Sequence, residues 1–286
     1  SEMCIRDRHV SIRNQLTALK KDSGDYPNPH DVQLIYNAVI KQITKLNAVR
    51  EEQQLSNAAQ DVVDDTDAAD GGGGGGGHGG SSESALAKNT RVDTMLVDVF
   101  YMLSLFFLTI GRGRECPAMF SQIGCMKQLL DHMDESAVYT EADLMPFVSR
   151  IQELREMIKN DERQNKHPPQ LTKLMSHKLE ACQRVVNKLQ HALSVISVEL
   201  LPIHQKLVQI RRQLNAASAR PKPPKGEVKQ LQEELRKIDG KRVDGKFLGP
   251  GGSSVPEGQE MLAGLLESCF ELSNDILVRN STVSPL

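Results

Sequence analysis

The chain has 286 residues, 39% of them apolar, no tryptophan, and 35 basic against 37 acidic side chains, for a formal charge of −2. That length fits one large domain or two small ones. The near-neutral balance excludes a molecule that attracts polyanions over its whole surface.

In chain order, Ser1-Glu2-Met3-Cys4-Ile5-Arg6-Asp7-Arg8 resembles the translated end of a transposase adapter used to prepare sequencing libraries. Residues 1–8 are therefore read as an artefact, and the natural chain as cut upstream of about His9. From there apolar residues recur at threes and fours with almost no strand signal, which predicts helices. The first two cover His9–Leu19 and Val32–Gln54. Residues 55–89 form an insertion: Asp61, Asp64, Asp65, Asp67 and Asp70 precede the glycine run Gly71–Gly77. Mutually repelling acids and glycine entropy predict a disordered loop. A phosphate-binding loop would need a strand before it and a lysine after it.

The next helix, Met95–Ile110, is predicted to be buried on all sides. Its clean apolar run, Val99–Ile110, is far shorter than the roughly 20 residues a bilayer requires, so no membrane span is expected. Helices follow from Pro117 to about Met133 and from Asp143 to about Lys166, the second with Thr140 and Asp143 as a capping box. Leu179, Cys182, Val186, Leu189, Leu193, Ile196, Leu200, Ile203, Leu207, Ile210 and Leu214 then make one unbroken seam. It predicts a single helix from Leu171 to Leu214, kinked at Pro202 where a backbone donor is missing. Glu227–Val243 and Glu257–Arg279 complete the set.

A phrase occurs twice. Val10-Ser11-Ile12-Arg13-Asn14-Gln15-Leu16-Thr17-Ala18 returns as Val208-Gln209-Ile210-Arg211-Arg212-Gln213-Leu214-Asn215-Ala216, identical at six of nine positions. After each copy come prolines, an acid-valine pair (Asp31-Val32, Glu227-Val228) and a strongly apolar helix. The expected fold is all-α: an elongated bundle of two related halves, 9–170 and 171–286, joined by the long kinked helix.

Candidate chemistry is sparse. Cys116 and Cys125, with His132 beyond them, lack the close pairs that structural zinc needs, and the two cysteines are read as core thiols rather than metal ligands. With Cys182 and Cys269, and no signal-peptide pattern ahead of them, they predict reduced thiols in the cytoplasm or nucleus. No catalytic motif is found, so no catalytic residue, cofactor or metal is assigned and the protein is read as a non-enzyme. The strongest functional signal runs from Lys206 to Lys246, with twelve basic residues against five acidic ones, a local charge of +7. Arg212, Arg220, Lys222, Lys225, Arg236, Lys237, Lys241, Arg242 and Lys246 are the candidates for contacts with an anion or a partner. Phe247 is the lone aromatic, so base stacking is not expected. Arg211 and Gln213, matched by Arg13 and Gln15 in the other copy, flank the seam. They are read as a fork that holds a carboxylate or chain terminus of a neighbouring helix, or a ligand.

Ile210-Arg211-Arg212-Gln213-Leu214, the run from Glu227 to Phe247, and Val255-Pro256-Glu257-Gly258-Gln259 resemble an uncharacterised fungal family built on a domain of unknown function. The resemblance implies a soluble cytosolic or nuclear protein and carries over no catalytic residue. The expected function is a non-enzymatic intracellular adaptor or scaffold that binds an unidentified protein partner through helical faces. The alternative is an anion binder, for phosphoinositide or nucleic acid, working through residues 206–246.

Overall fold

A computed structural model describes residues 10–18, 21, 27–64 and 80–282. The helices are α1 (10–18), α2 (Pro29–Asp64), α3 (Gly80–Thr109), α4 (Cys116–Ser136), α5 (Glu141–Arg163), α6 (Pro169–Ser194), α7 (Leu201–Ser218), α8 (Lys225–Asp239) and α9 (Gln259–Thr282). The fold is all-α, as the periodicity predicts. Residues 65–79, which include the glycine run of the 55–89 insertion, lie outside the described residues, as do 1–8. The backbone is helical through 55–64 and from residue 80. Contacts divide the chain into two compact units, Ser1–Cys125 with Glu153–Leu179, and Met126–Gln152 with Glu180–Leu286.

In the first unit, buried aromatics hold α2, α3 and α4 together. Phe100 stacks on Phe120 at 5.3 Å between centroids, and Tyr36 meets Phe107 edge-on at 5.4 Å. After α3 the backbone closes as a Schellman motif. Arg112 N–H donates to Phe107 O at 2.8 Å and Gly111 N–H to Leu108 O at 3.1 Å, with Gly111 at φ +81°. The expectation that this helix is buried on all sides is corrected. Val99, Phe100, Leu103 and Phe107 face the core, but Val97, Tyr101, Leu105 and Leu108 are each 39–51% exposed. Helical spacing sets these four within one stripe, opposite the buried face.

The second unit is built on α7, α8 and α9, packed pairwise around Leu207, Ile210, Leu214, Val228, Leu235, Leu262, Leu266 and Cys269. Two expectations fail here for local reasons. The seam does not run along one kinked helix: α6 stops at Ser194 and α7 starts at Leu201. Residues 195–200 form a turn whose bonds, Ile196 N–H to Leu193 O and Leu200 N–H to Ser197 O, reach back three residues. Ile196 and Leu200 still bury their side chains, which is why the three-four phase passes through the break unmarked. Pro202 sits in the first turn of α7, where a missing N–H costs nothing.

The second failure is the tail of the helix expected to reach Val243. Helix α8 ends at Asp239, and β1 (Arg242–Val243) pairs antiparallel with β2 (Lys246–Phe247). Asp244 and Gly245 connect them at φ +49° and +77°, the two positive values that a type I′ hairpin needs. An Asp-Gly pair is the sequence signal for this turn.

The position of Pro202 is testable. Pro202→Ala is expected to change the unfolding free energy by less than about 1 kcal/mol, because a first-turn proline breaks no helical bond. A gain of about 3 kcal/mol in urea titration, the cost of a helix-interior proline, would restore the kinked helix.

Candidate functional site

Val255-Pro256-Glu257-Gly258-Gln259, the segment ahead of α9, builds a corner in the second unit. Gly258 adopts φ +99°, and a Cβ there would lie 2.9 Å from Ile196 Cα. Only glycine satisfies both the backbone angle and that approach. Beside it Ser197 N–H donates to Glu257 O at 3.1 Å, fixing the α6–α7 turn against the start of α9. The Gln259 amide then reaches the hairpin. Its Nε2 donates to Phe247 O at 2.8 Å and to Pro256 O at 2.9 Å, and its Oε1 accepts from Phe247 N–H at 2.9 Å. One side chain replaces the strand partner that β2 lacks on that edge, and Phe247 is buried as a result. The outer side of the corner is an open cleft of about 550 Å³, lined in part by Val195, Ile196, Val255, Pro256, Glu257 and Glu260. The sequence marks this segment only through its family resemblance. Nothing in the spacing says that it meets Ile196.

The structure sorts the basic stretch by residue type. Its arginines are engaged by the protein itself. Arg212 Nη2 donates to Asp143 Oδ2 at 2.6 Å, Arg220 Nη1 to Glu227 Oε2 at 3.2 Å, and Arg236 Nη1 pairs with Glu233. Arg242 bridges Asp239 and Gly245 O while lying 5.9 Å from the centroid of the Phe247 ring. Lys206 pairs with Glu234 at 2.7 Å. Lys222, Lys225, Lys229, Lys237, Lys241 and Lys246 are exposed and form no ion pair among the described residues.

The fork resolves differently from its expectation. Arg211 Nη1 donates to a main-chain oxygen, Ser268 O on α9, at 2.7 Å, not to a carboxylate or a terminus. The carboxylate goes instead to its neighbour Arg212. Burial acts to raise the Asp143 carboxyl, but hydrogen bonds from Arg212 and from the Thr140 hydroxyl and N–H outweigh it and hold the group below its ordinary value. Only half of the expected capping box forms: Thr140 N–H donates to the Asp143 carboxylate, but Thr140 Oγ1 donates to that carboxylate as well instead of accepting from Asp143 N–H. Gln213 and its counterpart Gln15 are both exposed, whereas Arg211 is half-buried and its counterpart Arg13 on α1 is exposed, so the repeated phrase matches in its glutamines but not in its arginines.

Sequence reasoning misses a buried polar cluster in the first unit. Asp161, near the end of α5, accepts Cys116 N–H at 3.0 Å and so caps the start of α4. The Tyr36 hydroxyl and His167 Nδ1 share a hydrogen bond of 2.7 Å. His167 Nε2 lies 3.5 Å from Glu115 Oε2 and 3.9 Å from Asp161 Oδ2, without a hydrogen-bond partner. Burial, reinforced by Asp161, pushes the Cys116 thiol up, and burial does the same to the Tyr36 hydroxyl. Cys116 is thus a neutral thiol at pH 7. Cys125, expected in the core, is exposed on the outer side of α4. No group of three or more His, Cys, Asp or Glu among the described residues can hold a metal ion. The cluster's members span Tyr36 to His167, and no sequence spacing announces them.

Comparison with known proteins places the corner in context. Residues 193–285 match the family described as "Protein of unknown function (DUF2408)". The chain is also 30% identical, over 96% of its length, to the CUB1 family protein C30C2.08 of Schizosaccharomyces pombe, of which it covers 53%. An uncharacterised fungal family fits this chain. The Cu(2+) suppressing and bleomycin sensitive protein 1 of Saccharomyces cerevisiae is 26% identical over 96% of the chain and 57% of its own length. The chain therefore spans about half the length of these relatives. No solved structure matches it. The family match begins just before the α6–α7 turn and takes in α7, α8, the hairpin and the whole of α9, so the corner lies inside it. No helix among the described residues is long and apolar enough to cross a membrane.

Two buried histidines give the fold a pH dependence. Burial holds His204 below the ordinary histidine value. It does the same to His167, against the pull of Asp161 and Glu115 and with help from Lys166 and Arg112. The unfolded chain binds these protons near pH 6.5 and the folded chain only at lower pH, so stability falls as pH drops below about 6.5. Urea midpoints are expected to fall between pH 7.5 and 5.5, and to fall less in His204→Gln. An equal slope in the variant would contradict the burial effect at His204.

Proposed function

We propose that the protein is a non-enzymatic intracellular adaptor that holds a partner protein along a helical face. The row Val97, Tyr101, Leu105 and Leu108 on α3 carries this reading. Four large apolar side chains spaced by four, four and three form the stripe that a partner helix covers, and a fold without a partner has no use for leaving it in water. The free cysteines among the described residues, with Cys116, Cys182 and Cys269 buried, support an intracellular setting, in the cytoplasm or nucleus. The protonated state of Cys116, and of Cys269 with its thiol pushed up to about 11 chiefly by burial, argues against cysteine nucleophiles.

A second reading, anion binding through residues 206–246, draws on the six lysines that form no ion pair among the described residues. Salt separates the two, because phosphate contacts weaken steeply between about 50 and 200 mM salt and apolar contacts do not. In affinity capture from fungal lysate, a partner is expected to survive the higher salt with the unaltered chain. It is expected to be lost with Tyr101→Glu and Leu105→Glu, whose thermal unfolding serves as the folding control. Retention of nucleic acid or phosphoinositide alone, and only at low salt, would favour the lysines and overturn the adaptor.

A further inference from the structure

We infer that the corner cleft of the second unit is a docking site for a short peptide segment that carries an apolar side chain next to a lysine or arginine. The walls are apolar, and Val195 and Val255 remain 44% and 51% exposed around a cavity of about 550 Å³. That volume is within the usual range for a ligand site. The charges on the lining side chains are of one sign: Glu257 and Glu260 are both exposed, and no lysine or arginine lines the cleft among the described residues. The six exposed lysines without an ion pair among the described residues lie instead along 222–246. An acidic peptide would meet repulsion at this cleft, and a basic one attraction without burying either carboxylate.

The site is also preformed. Gly258 against Ile196, the Ser197–Glu257 backbone bond and the Gln259 clamp fix both walls before any ligand arrives, so binding costs little ordering. A single apolar anchor in a fixed pocket beside a charge pair is the arrangement by which short segments bind specifically. This site is independent of the α3 row. The two lie in different units, and either can fail alone.

The test is selection of short random peptides displayed on phage against the full chain, followed by titration of the enriched peptides as synthetic products. Enriched sequences are expected to share an apolar residue flanked by lysine or arginine. Their affinity should fall about tenfold or more for Glu257→Lys with Glu260→Lys, and for Val195→Asp. Tyr101→Glu on α3 should leave it unchanged. Glu257 and Glu260 are exposed, so their reversal keeps the fold and decides the question even if Val195→Asp unfolds. Enrichment of acidic peptides, equal affinity for the charge-reversed chain, or no enrichment would each overturn the site. So would self-association of the chain that Val195→Asp abolishes, since a second copy would then be the occupant.

Discussion

The second unit depends on one close approach, the backbone of Gly258 against that of Ile196. A Cβ at 258 would fall 2.9 Å from Ile196 Cα, closer than non-bonded carbons tolerate, so α9 can start there only because the residue is glycine. Everything next to the contact follows from it. The turn between α6 and α7 is held by Ser197 N–H to Glu257 O, and the hairpin edge is held by the Gln259 amide. The core of α7, α8 and α9 is then closed over Phe247, and the outer side of the same contact is the cleft. Core and candidate docking site are two faces of one backbone constraint.

Charge is divided on a chemical basis. Arginine presents a rigid fork of donors, and in residues 206–246 the arginines serve the protein's own carboxylates and carbonyls. Lysine is a flexible, strongly hydrated point charge, and six lysines of the same stretch are left in solvent. A local charge of +7 read from sequence therefore overstates the surface available to an anion. The first unit uses the opposite device. Buried Asp161 spends its charge on the first N–H of α4, and His167 is kept among Tyr36, Glu115 and Asp161 rather than exposed.

The all-α class and the helix positions were legible because three-four periodicity reports the buried face directly. That same strength misled at Pro202. A tight turn can keep Ile196 and Leu200 inward, so an unbroken seam does not require an unbroken helix. On α3 the apolar content concealed a face: Val97, Tyr101, Leu105 and Leu108 are as apolar as the buried side, and composition cannot tell core from contact surface. The hairpin carried an Asp-Gly signal that a helical pattern overrode. The Tyr36–Cys116–Asp161–His167 cluster and the Gly258–Ile196 approach were illegible for a different reason. Both join residues far apart in the chain, and tertiary juxtaposition leaves no local period. Gln259 was visible only as part of a family motif, and its three hydrogen bonds supply the physical meaning of that motif.

The most direct measurement is the urea unfolding midpoint of Gly258→Ala beside the unaltered chain. Alanine brings both the strain of φ +99° and the contact with Ile196, and a loss of about 2 kcal/mol or more is predicted, with the peptide cleft weakened in parallel. An unchanged midpoint would contradict the central claim, because the corner would then not be what closes the second unit.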